Sequence, residues 1–398
     1  MRWASTVSVE DGLDDAVEDA AATIREDLDG EIPDLAVVFV SRHHEDVYDQ
    51  VPQLVRKALG GGLVIGCSAG GVIGGGTEIE GQAGLSMTAA SLPEVELAPF
   101  HLQPGELPAK GAGGKSWESL LRVPVEKSAH FLLLPDPLTF ESEDLLTGLD
   151  AAYPYSKKIG GLASGGSDDE PNALFVGASV YRAGAVGVAL CGNIEVDTVV
   201  AQGCRPIGDP VFVTGVQRNI VTGLDGRSPL DVLREIHAGL SDDDQELFRH
   251  SLFLGIVMDA KRQEYAQGDF LVRNLLGMDE DTGAIAVGAL MQENAVVQFH
   301  LRDAKTSADD LSALLSRYAD THVIDATRPE GSLLFSCLGR GSGLYGRPDH
   351  DTDAFRRYVG EIPLGGFFCN GEIGDLHGRT FLHGYTSSFG VFRSRASA

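Results

Sequence analysis

The order of apolar and polar positions predicts alternating helices and strands from the first residues onward. Between residues 11 and 28, apolar side chains recur every three or four positions, which is the spacing of one helix face. A continuous apolar run, LAVVFVS at residues 35–41, then predicts a buried strand. A second helical pattern ends at three glycines, residues 60–62, because glycine commonly terminates a helix. The chain therefore begins with a helix, a strand and a second helix.

A longer succession occurs three times, in segments 34–92, 129–191 and 331–392. Each segment reads as strand, helix, strand, glycine-rich turn and further strand. The turns have the sequences GCSAGG (66–71), GGLASGG (160–166) and FFCNGE (367–372).

The pairing of the strands decides what lies near these turns. If the strands before and after each helix are parallel, a right-handed crossover brings Ser41, Asp136 and Cys337 to the same sheet edge as the turns. Short apolar runs do not reveal whether the pairing is parallel or antiparallel. We predict an α/β (or α+β) fold with two domains built from these repeated strand-helix-strand-glycine turn-strand units.

The length of the chain, 398 residues, favours two domains over one. The least periodic stretch lies at 190–225, so we predict an N-terminal domain of residues 1–205 and a C-terminal domain of residues 206–398. In the second half, apolar runs predict further strands, at 252–258, 270–276, 284–290 and 295–301.

The charge of the chain excludes several classes of partner. Its 58 acidic and 31 basic residues give a net charge of −27, which repels nucleic acid and anionic membranes. An acidic, lysine-poor surface is typical of halophilic proteins, and an acidic protein from a GC-rich genome is the alternative. No apolar run reaches the roughly 18 residues of a membrane span, and no signal-peptide core is present. We expect a cytoplasmic protein without nucleic-acid or membrane partners.

The cysteines do not indicate a metal site or a disulfide framework. Five cysteines are widely spaced, with no CxxC pair and no Cys/His zinc pattern. Reduced thiols fit this pattern best, and we expect neither a bound metal nor a cofactor.

Two candidate sites carry reactive residue types. The motif GCSAG, with Cys67 and Ser68, matches the nucleophile elbow of hydrolases, but a helix must follow that serine and the sequence GVIGGG is a poor helix former. Cys337 and Cys369 each end an apolar strand. Buried cysteines are usually small apolar residues, but a cysteine near a cation such as Arg340 can be a reactive thiolate.

Charged and amide side chains near the strand ends suggest a ligand site instead. Arg302 can bind a carboxylate, and Asp303 can bind an ammonium group; a structural salt bridge between the two is the alternative. Asn370 and Glu372 distinguish the third glycine turn from the other two, so we expect them at the site with Cys337 and Arg340.

The motifs together resemble the FIST family, a sensory module with a FIST N and a FIST C part. The N-terminal motifs are GCSAG (66–70) and IGGLAS (159–164). The C-terminal motifs are FLVRN (270–274), QFHLRD (298–303), FSCLGRG (335–341) and GFFCNGEIG (366–374). The resemblance covers almost the whole chain. It implies a cytoplasmic sensor of small ligands, with amino acids as the proposed class. Family members are fused to signalling domains or, in eukaryotes, to an F-box, and no such segment is expected here.

We therefore predict a cytoplasmic small-molecule sensor in signal transduction without a fused output domain, which either contacts a signalling protein or acts alone. The predicted ligand-binding residues are Arg302, Asp303, Cys337, Arg340, Asn370, Glu372, Cys369, Cys67 and Ser68. Two alternatives stay open: an enzyme that uses Cys67, Cys337 or Cys369 as nucleophile on a small amide or amino-acid-like substrate, and a scaffold that binds other proteins.

Overall fold

The computed structural model describes residues 1–167, 170–259, 261–262, 264–324 and 328–395. The chain forms two compact units. Unit 1 comprises Met1–Val200, Ser312–Leu382 and Thr386–Ala398, and unit 2 comprises Ala201–Leu311 and His383–Tyr385. The predicted boundary between residues 205 and 206 divides the sequence rather than these spatial units, and it stays a prediction.

Within the described residues, unit 1 contains three sheets that share one strand arrangement. Across the first sheet the strands are β1 (Arg2–Ser8), β6 (Leu85–Ser91), β2 (Leu35–Ser41), β3 (Leu63–Ala69), β10 (Leu174–Val176) and β11 (Ser179–Tyr181). Across the second they are β7 (Val95–Leu102), β12 (Ala185–Gly192), β8 (His130–Pro135), β9 (Lys158–Gly161), β22 (Glu372–Leu376) and β23 (Arg379–His383). Across the third they are β13 (Glu195–Ala201), β24 (Ser387–Arg393), β20 (Gly331–Cys337), β21 (Leu364–Cys369), β4 (Gly71–Gly74) and β5 (Thr77–Glu80).

The three predicted repeats are confirmed, and the pairing that the sequence left open is parallel. The central pairs β2–β3, β8–β9 and β20–β21 are parallel. A glycine occupies the same register position in each: Gly66, Gly160 and Gly366. A Cβ atom at these positions would lie 1.8–1.9 Å from the carbonyl oxygen of the opposite residue, so only glycine lets the two strands approach.

In each repeat, the strand that follows the glycine turn pairs with a strand of another repeat and so belongs to a different sheet. Strand β10 of the second repeat pairs with β3 of the first. Strand β22 of the third repeat pairs with β9 of the second, and β4 of the first repeat pairs with β21 of the third. The exchange therefore closes a ring of three repeats.

Helices connect the parallel strands and cover the sheets. The described helices are α1 (Leu13–Asp27), α2 (Val51–Leu59), α3 (Gly114–Leu121), α4 (Ser142–Ala152), α5 (Pro229–Ala238), α6 (Asp242–His250), α7 (Ala304–Ile324), α8 (Gly341–Tyr345) and α9 (His350–Val359), with 3-10 turns at Arg42–Gln50 and Val125–Lys127. Helix α5 is capped by Ser228, whose hydroxyl accepts a hydrogen bond from Asp231 N, and Pro229 is its first residue. No described helix is both long and apolar enough to cross a membrane.

Aromatic side chains join the sheets of unit 1 at their inner faces. Phe39 of the first sheet stacks on Phe367 of the third, with ring centroids 4.4 Å apart. Phe335 meets both rings edge-on. All three side chains are fully buried, so the sheets share one apolar core.

Unit 2 contains a closed barrel. Each repeat is preceded in the chain by one more strand and helix, which we count as part of it: β1 and α1, β7 and α3, and β13 and α7. The barrel is inserted into this part of the third repeat. Its strands, in order around the barrel, are β14 (Cys204–Gln217), β15 (Ile220–Leu224), β18 (Ile285–Val287), β17 (Phe270–Met278), β16 (Leu252–Val257) and β19 (Val296–Arg302). The barrel lies in the chain between β13 and β20. The four strands predicted for the second half correspond to β16–β19.

Candidate functional site

The three glycine turns meet at one edge of unit 1. Ser164, in the turn after β9, donates its backbone N–H to the carbonyl oxygen of Ser68 in the first turn, at 3.3 Å. The Ser164 hydroxyl accepts from Gly70 N at 2.9 Å and donates to the carbonyl oxygen of Phe368 at 2.5 Å. One serine therefore connects all three turns. We call residues 68–71, 162–166 and 368–372 the three-turn junction.

Asn370 is the solvent-exposed polar side chain of the third turn. Its backbone N–H donates to Leu162 O at 3.2 Å, and its side-chain Nδ2 donates to Ala163 O at 3.2 Å. Among the described residues, no donor bonds to its Oδ1. The amide is thus held in place by two hydrogen bonds while its oxygen remains available to a ligand.

Ser68 belongs to a buried hydrogen-bond chain rather than to a catalytic elbow. Its hydroxyl donates to Asn172 Oδ1 at 3.1 Å, and Asn172 Nδ2 donates to Asp136 Oδ1 at 2.8 Å. Asp136, only 2% exposed, also accepts from the Thr139 hydroxyl at 2.6 Å. Strand β4 follows the first turn where an elbow requires a helix. This series of hydrogen bonds therefore holds the first turn against the second repeat.

The three candidate nucleophiles differ in how deeply they are buried. Cys67 and Cys369 have no exposed surface, and burial raises the pKa of both thiols well above the ordinary value. The Cys369 thiol donates to Glu372 Oε1 at 3.6 Å, and Glu372 Oε2 accepts from Thr386 N at 3.0 Å. Cys337, paired in register with Cys369, is partly exposed. A neutral buried thiol is a poor nucleophile, so only Cys337 has the exposure that reactivity requires.

Arg340 forms a buried ion pair. Its Nε donates to Asp351 Oδ2 at 2.8 Å and its Nη2 donates to Oδ1 at 3.0 Å, while Nη2 also contacts the Tyr345 hydroxyl. Burial alone would raise the pKa of Asp351, but Arg340 and the hydroxyl of Ser387 hold it well below its usual value. Arg340 is 1% exposed, and its Nη1 has no hydrogen-bond partner among the described residues.

Glu78 on β5 meets the first turn of α9 beside this ion pair. Its Oε1 accepts from the backbone N–H groups of Asp351 and Thr352, both at 3.0 Å. Glu78 N donates to Asp349 Oδ1 at 2.6 Å. Burial, followed by the negative charge of Asp351, raises the pKa of Glu78 to about 7. Its carboxyl group is therefore partly protonated near neutral pH.

This raised pKa predicts that Glu78→Gln alters the pH dependence of stability. Between about pH 4.5, the ordinary pKa, and about pH 7, the folded state holds more protons at this group than the unfolded state. The contribution of Glu78 to the free energy of unfolding therefore falls as the pH rises through that window. Because glutamine does not titrate, the variant should gain on the order of 2 kcal/mol relative to wild type between pH 5 and pH 8, measured by urea unfolding. The exposed Glu361→Gln should gain nothing, and an equal difference at both pH values for Glu78→Gln would contradict the prediction.

Arg302 and Asp303 lie in unit 2, at the end of β19. Asp303 caps α7: its Oδ1 accepts from Thr306 N at 2.7 Å, and Arg205 Nε donates to its Oδ2 at 3.3 Å. Burial would raise the pKa of Asp303, but the bonds from Thr306 and Arg205 lower it. The Arg302 guanidinium lies 5.0 Å from the ring centroid of Tyr385. Asp303 therefore pairs with Arg205 and caps the N-terminus of α7.

The structure groups some of the predicted residues and separates others. Five lie together at the ends of β20 and β21: Cys337, Arg340, Cys369, Asn370 and Glu372. Cys67 and Ser68 end the neighbouring β3. Three further residues of this region, Asn172, Asp351 and Glu78, were not among those predicted from the sequence. The sequence does indicate a charged position at Asp351, because it belongs to the acidic stretch DHDTD (349–353). Nothing in the local sequence pattern distinguishes Asn172 or Glu78.

Comparison with known proteins gives a consistent result over the chain. Residues 34–227 match the FIST N domain, and residues 229–375 match the FIST C domain. An uncharacterized protein of Mycobacterium tuberculosis is 40% identical over 394 residues, covering 98% of this chain and 100% of that protein. An F-box/LRR-repeat protein of Arabidopsis thaliana is 26% identical over 203 residues, covering 45% of this chain and 36% of that protein.

Among solved structures, a cyanuric acid hydrolase from A. caulinodans aligns with 99% of this chain and 100% of its own. The sequence identity is 10% and the TM-score is 0.34, a likeness too weak to carry a conclusion about fold or function.

Proposed function

Because this chain belongs to the FIST family, whose domains are sensor domains of signal transduction, we propose that it senses a small amino-acid-like ligand and signals through a protein partner. The observation that carries the proposal is the convergence of the three glycine turns, which brings one exposed amide and a buried guanidinium to neighbouring strand ends of unit 1. A ligand there would contact parts of all three repeats. Binding would then change how the repeats are held together, which a partner can detect.

Two groups support an amino acid as the ligand class. The exposed Asn370 has an amide oxygen that an ammonium group can bond. Arg340 Nη1 is a buried donor without a partner, and leaving such a donor unpaired costs about 1–3 kcal/mol or more. A guanidinium forms strong, charge-assisted hydrogen bonds with a carboxylate. Because Nη1 lies below the surface, the ligand must be small or must displace a neighbouring side chain to reach it.

Calorimetry with the twenty amino acids tests this site. We expect at least one to bind, and Asn370→Ala to weaken that binding roughly tenfold or more, since a hydrogen bond to a charged group contributes about 1.5–3 kcal/mol. Gln50→Ala, an exposed amide elsewhere in unit 1, should bind as wild type does. The proposal fails if no amino acid binds, or if Asn370→Ala binds the same ligand with wild-type affinity.

Thiol labelling separates the sensor from the alternative of a cysteine-dependent enzyme. With a limiting alkylating reagent at neutral pH, we expect Cys337 to label first, because burial protects Cys67, Cys191, Cys204 and Cys369. For a sensor, Cys337 should react no faster than a simple thiol such as glutathione. Mass spectrometry that finds Cys337 at least tenfold faster than glutathione would favour the enzyme. Labelling of Cys67 or Cys369 before Cys337 would contradict the burial argument itself.

A further inference from the structure

A cavity of about 660 Å³ lies in the second repeat, away from the glycine turns. It is formed between the loop of residues 103–113, which joins β7 to α3, and one side of α4. In the first repeat the corresponding connection, from β1 to α1, is only residues 9–12. The longer loop is therefore an addition to the common repeat, and it forms one wall of the cavity.

The inner wall of the cavity is apolar and aromatic. Leu107 and Pro108 line it from the loop, and Trp117 and Phe140 line it from the body of the repeat. Gly148, within α4, also lines it, and a Cβ at that position would lie 2.0 Å from Cζ2 of Trp117. Glycine inside a helix is less favourable than alanine, and here it makes room for the indole ring against α4. The aromatic wall thus depends on a locally unfavourable residue.

The charged side chains that line the cavity are two carboxylates and one ammonium group. Glu141 and Asp144 belong to the start of α4, and Lys110 belongs to the loop. Lys110 Nζ lies 2.9 Å from Asp144 Oδ1, and the lysine side chain is 84% exposed. Because the lysine end of this pair is exposed, the pair contributes little to stability, and the ammonium group of a ligand can replace that of Lys110. The lining therefore carries a net negative charge that a ligand ammonium group can satisfy.

We propose that this cavity binds an amphiphilic amine. The apolar or aromatic part of the ligand packs against Trp117 and Phe140, and its protonated amine takes the place of Lys110 beside Glu141 and Asp144. Aromatic faces also attract cations, which adds to the preference for an amine. The volume lies within the range of sites for drug-sized ligands, whereas a free amino acid would fill only a part of it. This site is distinct from the three-turn junction, and it does not depend on the function proposed there.

Fluorescence gives a direct test, because the chain has only two tryptophans. In Trp3→Phe, Trp117 is the sole tryptophan. With light that excites tryptophan but not tyrosine, it is the sole donor for energy transfer to dansylcadaverine, a naphthalene probe with a primary amine. We expect saturable transfer, and at least tenfold weaker binding for the same probe with its amine acetylated. Ala151→Phe places a ring on the exposed lining of α4 and should weaken binding at least tenfold. Ala22→Phe, at an exposed alanine of α1, is the matched control and should leave binding unchanged.

Three results would overturn the proposal: no saturable binding, equal affinity for the acetylated probe, or unchanged affinity in Ala151→Phe. Equal affinity would indicate an apolar surface without a role for the carboxylates. If Trp3→Phe does not fold, the blue shift of the probe's own emission in the wild-type background gives the same three comparisons.

Discussion

Arg340→Ala should lower the free energy of unfolding by about 3–5 kcal/mol, because it leaves Asp351 as a buried, unpaired carboxylate. Both residues are at most 2% exposed, and two direct bonds of 2.8 and 3.0 Å join them. Urea unfolding followed by tryptophan fluorescence measures the change where it occurs, since Trp3 and Trp117 both lie in unit 1.

Arg347→Ala is the matched control for this prediction. Arg347 pairs with Asp353 at 2.8 Å, but both side chains are more than 40% exposed, so the loss should stay below about 1 kcal/mol. Arg340→Met combined with Asp351→Leu removes both charges and should recover much of the stability lost in Arg340→Ala. A loss of under 1 kcal/mol in Arg340→Ala would show that the pair contributes no more than an exposed one. The expected size of the loss is also why Asn370, rather than Arg340, is the better position for the binding test.

Gly160→Ala should destabilise the protein by about 3 kcal/mol or more, the second large effect that we expect. An added Cβ would lie 1.9 Å from the carbonyl oxygen of Leu133, in the strand paired with β9. The backbone φ of +148° is also unfavourable for alanine. Overpacking against flexible side chains costs about 1–3 kcal/mol, and here the obstructing atom is a backbone oxygen that cannot move without breaking the parallel pair.

Gly366→Ala provides an independent check, because Gly366 occupies the same position in the third repeat. Its φ is +150°, and a Cβ there would lie 1.9 Å from Leu334 O, so a similar loss is expected. Gly343→Ala in α8 meets no atom within 4 Å and should change stability by less than about 0.5 kcal/mol. Wild-type stability for Gly160→Ala in urea would mean that the glycines are not required for the repeat.

The repeats were predictable because their signals are local. Each combines an apolar run with a glycine turn within a few residues, and the shared register of Gly66, Gly160 and Gly366 follows from that spacing. The exchange of β4, β10 and β22 between repeats was not predictable, since it depends on pairs far apart in the chain. The insertion of the barrel was hidden for the same reason: β13 ends at Ala201, while β20 of the same repeat begins only at Gly331.

The candidate site was predicted in position but not in partners. Cys337, Cys369 and Asn370 stand at strand ends that the glycine turns already mark. In contrast, two of the five guanidinium N–H groups of Arg340 donate to Asp351, and a sequence does not show which carboxylate a buried arginine will meet. Cys67 and Cys369 look alike in sequence, but they do not occupy equivalent positions. Counted from the shared glycines, Gly66 and Gly366, the residue that corresponds to Cys369 in the first repeat is Ala69.

The ring of exchanged strands has a consequence for how the protein can be made. As the chain leaves the ribosome, β4 appears early, yet its partner β21 is synthesised almost 300 residues later. Strand β9 likewise has no partner on one edge until β22 has been synthesised. Until then, open sheet edges face the solvent and invite pairing with other chains. A fragment that ends near residue 227 would keep these edges permanently, so we expect it to associate with other chains more readily than the full-length protein does.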